Sequence, residues 1–76
     1  MFKLSITHNA ENEVGLAAFI IYLRDNFSTS ILGATANSSN KHCTATLQFA
    51  TFNEVVVAVQ TLKAEFVIDY RMLFEP

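Results

Sequence analysis

The fold of this chain is decided by residues 51–59, which read TFNEVVVAV. The four valines favour a strand, because a β-branched side chain has little rotamer freedom in a helix. Thr51 and Glu54 instead form a capping box, in which the Thr hydroxyl accepts from the Glu54 amide and the Glu54 side chain accepts from the Thr51 amide. Apolar residues then recur at helical spacing, at Phe52, Val55, Val59, Leu62 and Phe66. We therefore predict a helix.

The segments on both sides of this helix alternate between apolar and polar residues. Val67 to Phe74 places Ile68, Tyr70, Met72 and Phe74 on one face and Asp69 and Arg71 on the other. Lys41 to Ala50 alternates in the same way. A period of two is typical of strands, so a strand is predicted on each side.

A hairpin is predicted before the helix that begins at Thr51. Ser28 to Ala36 forms its first strand, and the polar stretch Asn37 to Asn40 forms its turn. Pairing Ala36 with Lys41 sets Ala34 opposite Cys43, and continuing this register sets Leu32 opposite Ala45 and Ser30 opposite Leu47. The other face then pairs Thr35 with His42, Gly33 with Thr44, and Ile31 with Thr46, and it is rich in Thr.

The N-terminal part predicts a strand followed by a helix. Phe2 to His8 alternates strictly. Asn9 to Asn12 then supplies cap residues, and Glu11 and Glu13 place negative charge in the first helical turn. The helix is expected over residues 11–26, with an apolar stripe at Leu16, Phe19, Ile20, Leu23 and Phe27.

The resulting order, β-α-β-β-α-β, resembles the ferredoxin-like, split β-α-β arrangement. In that α+β fold both helices lie on one face of a four-stranded antiparallel sheet, here with the expected strand order 4-1-3-2. Residues 1–76 are too few for two cores and are expected to form one small domain. The predicted core contains Phe2, Leu4, Ile6, Leu16, Ile20, Leu23, Leu47, Phe49, Val55, Val59, Leu62, Phe66, Ile68 and Tyr70.

Composition excludes several classes of function. The content of 51% hydrophobic and 16% charged residues is unlike that of a disordered chain. The net charge of −2 gives no general electrostatic attraction to nucleic acid or to an anionic membrane. The longest apolar run, Leu16 to Leu23, is too short to span a bilayer. No secretory signal pattern follows Met1, so the sequence predicts a cytoplasmic protein without a membrane partner.

No catalytic, cofactor-binding or metal-binding site is predicted. Cys43 and His42 are adjacent in a strand and point to opposite faces, so they cannot chelate one ion. Cys43 is interpreted as a small core residue and His8 as a strand-end residue near the first helix. The acidic residues do not form a pair suited to acid–base catalysis. Neither glycine belongs to a phosphate-binding loop. Because the sequence supports none of these chemistries, the protein is predicted not to be an enzyme. An enzyme would need a composite site at a dimer interface, involving His8, His42 or Asp69.

Two surfaces are candidates for binding another protein. On the first helix, Val14, Ala18 and Ile21 lie nearly opposite the core stripe, with Tyr22 beside them, and an apolar band away from the core indicates a contact surface. The second surface is the uncharged edge strand 28–36, represented by Ile31 and Thr35, which could add a strand from a partner. The partner would be a target protein or a second copy, as in a homodimer.

A nucleic-acid alternative uses the Thr-rich open face of the sheet. The RNA-recognition module has the same strand order but reads bases with aromatic side chains on its first and third strands. Here those positions hold Lys3, Ser5 and Thr7, and His42, Thr44, Thr46 and Gln48, so only His42 could stack on a base. Single-strand binding would then depend on phosphate contacts from Lys3, Lys41, His42 and Arg71.

The leading prediction is a small non-enzymatic protein-interaction module. Its size is typical of adaptors and of inhibitors that phages and mobile elements encode against host nucleic-acid enzymes or defence complexes. With seven acidic and five basic residues the negative field is too weak for a DNA mimic, so inhibition would be steric.

Overall fold

The computed structural model describes residues 1–75 and has the predicted order of elements. Burial alternates along the central strands because a helix layer covers only one face of the sheet. The elements are β1 (Phe2–Asn9), α1 (Glu13–Phe27), β2 (Ile31–Asn37), β3 (His42–Phe49), α2 (Phe52–Glu65) and β4 (Asp69–Phe74).

The four strands form one antiparallel sheet in the order β2-β3-β1-β4. β1 and β3 occupy the centre, and β2 and β4 are the two edges. Two helices connect the strands, so the ferredoxin-like α+β fold and the strand order 4-1-3-2 predicted from the sequence are both confirmed.

The hydrophobic core lies between the helices and the two central strands. Most predicted core residues are buried or packed against the core, but the buried set has further members and one predicted member is exposed. Phe19, which was placed on the apolar stripe of the first helix but left out of the predicted core, is fully buried, as are Cys43, Ala45 and Ala58. Tyr70, which was predicted to be in the core, is 50% exposed. The buried apolar residues are Leu4, Ile6, Leu16, Phe19, Leu23, Cys43, Ala45, Leu47, Phe49, Val55, Ala58, Val59 and Leu62.

The segment 51–59 begins α2 as predicted. Thr51 is the N-cap, and its Oγ1 accepts a hydrogen bond from the Glu54 amide at 3.2 Å. The second bond of the capping box differs, because the Thr51 hydroxyl donates to the Glu54 carboxylate at 3.0 Å. The Glu54 side chain thus binds the cap residue through its hydroxyl instead of its amide.

Helix α1 begins two residues later than predicted. Asn12 is the N-cap, and its Oδ1 accepts from the Gly15 amide at 2.8 Å. Glu13 lies in the first turn, whereas Glu11 precedes the cap and is outside the helix, contrary to the prediction. Asn12 fixes the start of the helix because its side chain binds a main-chain amide of the first turn, which has no partner within the helix.

The β2–β3 hairpin forms with a register that differs from the predicted one. Ala36 pairs with Cys43 and Ala34 with Ala45, a shift of two residues that keeps residues 33–36 on their predicted faces. The turn starts one residue later, at Ser38, and ends at Lys41, which adopts a left-handed conformation with φ 53°. An irregularity between Ile31 and Gly33 then pairs Ile31 with Leu47, on the face predicted for Ser30.

Strand β4 begins at Asp69, two residues later than predicted. Immediately before it, the Val67 carbonyl accepts a hydrogen bond from His8 Nδ1 at 2.7 Å. The His8 ring is buried and stacks on Phe19 with the ring centroids 4.5 Å apart. His8 therefore fixes the entry of the chain into β4, as a strand-end residue beside the first helix.

Candidate interaction surface

The band on α1 divides into exposed and partly buried residues. Val14 is 80% exposed and Ile21 is 52% exposed, and Ala18 is exposed between them. Tyr22 is half-buried, and its ring lies edge-on to Phe66 with a centroid distance of 5.3 Å. Three of the four predicted side chains thus project from α1, while Tyr22 packs beside the core.

The hairpin edge does not present its two predicted residues together. Thr35 is exposed and pairs with Thr44 on the open face of the sheet. Ile31 is half-buried against the core, because the irregularity at Leu32 moves it to the helix face. Ile31 and Thr35 were expected on one face, and that expectation is wrong.

A third apolar surface lies between α2 and the edge strand β4. It is a groove of about 410 Å³, lined on one side by α2 and on the other by β4. Tyr70 and Met72 face the helix layer, as their pairing with the buried Ile6 and Leu4 requires, and yet both are exposed. We call this surface the α2–β4 groove; its lining residues are Phe52, Val55, Val56, Val59, Gln60, Lys63, Tyr70 and Met72.

The groove exists because α2 packs over β1 and β3 and covers the helix-facing side of β4 only in part. The other edge strand differs in side-chain size. On β2 the helix-facing positions include Ala34 and Ala36, which pair with the buried Ala45 and Cys43. On β4 the corresponding positions hold Tyr70, Met72 and Phe74, so this edge leaves far more apolar surface in water.

The backbone of β4 is also open on its outer side. Glu75 and Met1 exchange two main-chain hydrogen bonds, at 2.8 and 3.0 Å, so the N–H and C=O groups of Glu75 point toward β1. In an antiparallel ladder this direction alternates along the strand. The main-chain groups of Tyr70, Met72 and Phe74 therefore point away from β1, toward the free edge.

Sequence reasoning missed the α2–β4 groove because it assigned Tyr70 to the core. Alternation shows which face of a strand a residue occupies, but not whether a helix reaches over that strand. One signal was present: Met72, Leu73 and Phe74 are consecutive apolar residues, which places large side chains on both faces of the strand.

The four residues of the nucleic-acid alternative are spread over the sheet. Lys3 forms an ion pair with Glu75 at 2.9 Å. His42 Nδ1 lies 2.7 Å from Asn9 Oδ1, at the opposite end of β1. Asn9 is six strand residues from Lys3, which is a distance of about 20 Å. Lys41 lies in the hairpin turn, and Arg71 is exposed on β4. They form no continuous basic path.

Buried titratable groups do not form a site for chemistry. Cys43 is fully buried, and this burial raises the pKa of its thiol. A protonated, inaccessible thiol is a poor nucleophile. Within residues 1–75 no three His, Cys, Asp or Glu side chains are grouped so that they could hold a metal ion.

Neither helix within residues 1–75 combines the length and the apolar character needed to cross a membrane. Comparison of the chain with protein-family models, curated proteins and solved structures gives no significant match. Functional inference therefore depends on the surfaces described above.

Proposed function

We propose that this protein is a non-enzymatic protein-interaction module that binds through the α2–β4 groove and the adjoining free edge of β4. The observation that carries the proposal is the exposure of Tyr70 and Met72 on the helix-facing side of an edge strand whose outer side pairs with no other strand of residues 1–75. Large apolar side chains at such positions are normally covered, either by the chain itself or by a partner.

The energetics favour a partner at this edge. Burying apolar surface contributes about 25 cal/mol per Å², and an added strand would also satisfy the outward main-chain groups of Tyr70 and Met72. The Lys63 ammonium lies 5.7 Å from the centre of the Tyr70 ring and covers it only in part. A bound strand would thus gain hydrogen bonds along the edge and apolar contacts inside the groove.

The finer part of the proposal is that binding is inhibitory and occurs in the cytoplasm. In this role the protein, encoded by a phage or mobile element, occupies a surface of a host nucleic-acid enzyme or defence complex. Steric blocking needs no catalytic group, and it is compatible with a binding surface that is largely apolar. The identity of the captured target tests this part directly.

The experiment is affinity capture from a lysate of the native or host cell, with and without nuclease, using three forms of the tagged protein. These are the wild type, Met72→Glu in the groove and Ile21→Glu on α1. The matched control is apt because Ile21 is also an exposed apolar residue but lies on the α1 band. Circular dichroism establishes that each variant is folded.

We expect a stoichiometric protein that survives nuclease, is retained by Ile21→Glu and is lost with Met72→Glu. Loss with Ile21→Glu alone would move the binding site to the α1 band and contradict the groove. Recovery that disappears with nuclease would contradict protein binding and favour the single-strand nucleic-acid alternative.

A further inference from the structure

We propose that the α2–β4 groove binds a second copy of this chain, through antiparallel pairing of β4 with β4 about a twofold axis. This inference rests on the proposed function and names a second copy, in place of a host target, as the partner for the same edge. In the paired form Tyr70 lies opposite Tyr70 of the second copy, and the two sheets join into one of eight strands.

Face and hydrogen-bond direction restrict the registers that such pairing can take. The twofold axis must bring helix-facing residues of β4 opposite helix-facing residues of the second copy, so the register can change only in steps of two. Tyr70, Met72 and Phe74 direct their main-chain groups outward and would form the hydrogen-bonded pairs in each of these registers.

Charge complementarity selects one of these registers. With Tyr70 opposite Tyr70, Asp69 lies opposite Arg71 of the second copy, and symmetry repeats this ion pair. A register shift of one step toward the C-terminus places Arg71 opposite Arg71, and one step toward the N-terminus places Asp69 opposite Asp69. A shift of two steps toward the C-terminus places Asp69 opposite Glu75. Like charges directly opposite each other destabilise a strand pair, whereas opposite charges stabilise it.

The same register covers the remaining exposed apolar residues near the edge. Val67 is 88% exposed, and its carbonyl points toward β1 like those of Asp69 and Arg71. Continuing the pairing by two residues sets Val67 opposite the exposed Leu73 of the second copy on the open face. On the helix face it sets Ile68 opposite Met72.

The size of the β4 side chains fits the space between the two helix layers. Joining the sheets at β4 places the two β1 strands three strand spacings apart, about 14 Å. Helices in direct contact pack at about 8–10 Å, so the two α2 helices above these strands leave a gap between them. Tyr70, Met72 and Phe74 from both copies project into this gap, whereas small residues such as those on β2 would leave it empty.

The first test measures the oligomeric state by sedimentation velocity over a wide range of concentration. We expect a dimer for the wild type, and dissociation constants at least about tenfold higher for Asp69→Arg and for Arg71→Asp, which place like charges in contact. The double variant carrying both substitutions should return to wild-type affinity, because the ion pair is restored in reverse. The matched control, Arg24→Asp with Asp25→Arg, exchanges two exposed charges on α1 and should have no effect.

The second test reads the register by oxidative cross-linking of single cysteine variants. A hydrogen-bonded pair holds its Cα atoms about 5.5 Å apart, within the range of a disulfide, so Tyr70→Cys should cross-link two copies. Met72→Cys should not, because its two Cα atoms would be about 14 Å apart, four residues along the strand and one strand spacing across. Cys43 is buried and present in both variants.

A monomer at all concentrations would overturn the inference. A dimer whose dissociation constant is unchanged by Asp69→Arg and by Arg71→Asp would overturn it as well. Preferential cross-linking of Met72→Cys would also overturn it. These failures are distinguishable from failure of the proposed function, because a monomer that captures a target through Met72 still binds protein by the groove.

Discussion

Removal of the Thr51 hydroxyl tests the capping box that begins α2. In the structure Oγ1 accepts from the Glu54 amide at 3.2 Å and the hydroxyl donates to the Glu54 carboxylate at 3.0 Å. Thr51→Ala removes both bonds and leaves the Glu54 amide to water. Loss of an N-cap of this kind costs about 1 kcal/mol of stability.

This cost matters because α2 is intrinsically a weak helix. Each of its four valines is roughly 0.6 kcal/mol less favourable in a helix than Ala, or about 2.4 kcal/mol in total. Burial of Val55, Val59 and Leu62 offsets this penalty. The cap and the packed face together keep the segment helical, so Thr51→Ala should weaken the fold without converting the helix to a strand.

The assay is thermal and urea denaturation followed by circular dichroism. An entropy of unfolding of about 2.1 cal/mol/K per residue converts 1 kcal/mol into a fall in Tm of about 6 °C for this chain. The urea midpoint should fall by about 1 M. Helical signal at 25 °C should persist in the folded variant.

Two control variants make the result specific to the cap. Thr51→Ser keeps a hydroxyl and should stay within about 0.5 kcal/mol of the wild type. Thr61→Ala removes a hydroxyl from the same helix, one that donates to the Val57 carbonyl at 2.7 Å, and should cost less because this bond only supplements a helical one. The reasoning is refuted if Thr51→Ala has no effect or if Thr51→Ser is equally destabilising.

Three further predictions concern single buried or edge positions. His8→Ala should lower stability by about 3 kcal/mol and His8→Phe by about 1 kcal/mol. The Phe variant keeps the stacking on Phe19 and loses only the hydrogen bond to Val67. Equal losses of stability in urea titrations of the two variants would contradict this prediction. Gly33→Ala should raise stability by about 0.5 kcal/mol, since an added Cβ meets no atom within 4 Å, and a fall in Tm would show that the edge needs glycine. Burial raises the pKa of Cys43 above its ordinary value of 9.0, so above this pH the unfolded chain releases its proton first and the stability of the fold declines. The stability of Cys43→Ala, measured by urea titrations at stepped pH, should decline less steeply. Identical slopes for the two proteins would exclude the thiol as a cause.

The sequence predicted the fold because its signals are local. The capping box at Thr51, the stripe on α1 and the alternation in β1 each depend on neighbours within about two turns or one strand. The register of the hairpin was predicted less accurately than its turn. Its polar turn was recognised, but the left-handed Lys41 and the irregularity at Leu32 changed the register and moved Ile31 to the core side.

The binding surface depended on longer-range packing. The exposed apolar residues of the α1 band, Val14, Ala18 and Ile21, are visible from helical periodicity, and the structure leaves them exposed. The groove was not visible, because Tyr70 and Met72 lie on the face that the sequence assigns to the core.

By itself the sequence determined the order of helices and strands, the faces of the central strands and the ferredoxin-like topology, since periodicity and caps act between residues close in the chain. Only the tertiary structure decided that α2 packs over β1 and β3 and leaves β4 open. Two helices have too little width to cover four strands, and which edge remains uncovered depends on how their apolar faces pack on the sheet. That packing made Tyr70, which was expected in the core, part of the lining of a groove, together with Met72 on the same face of β4.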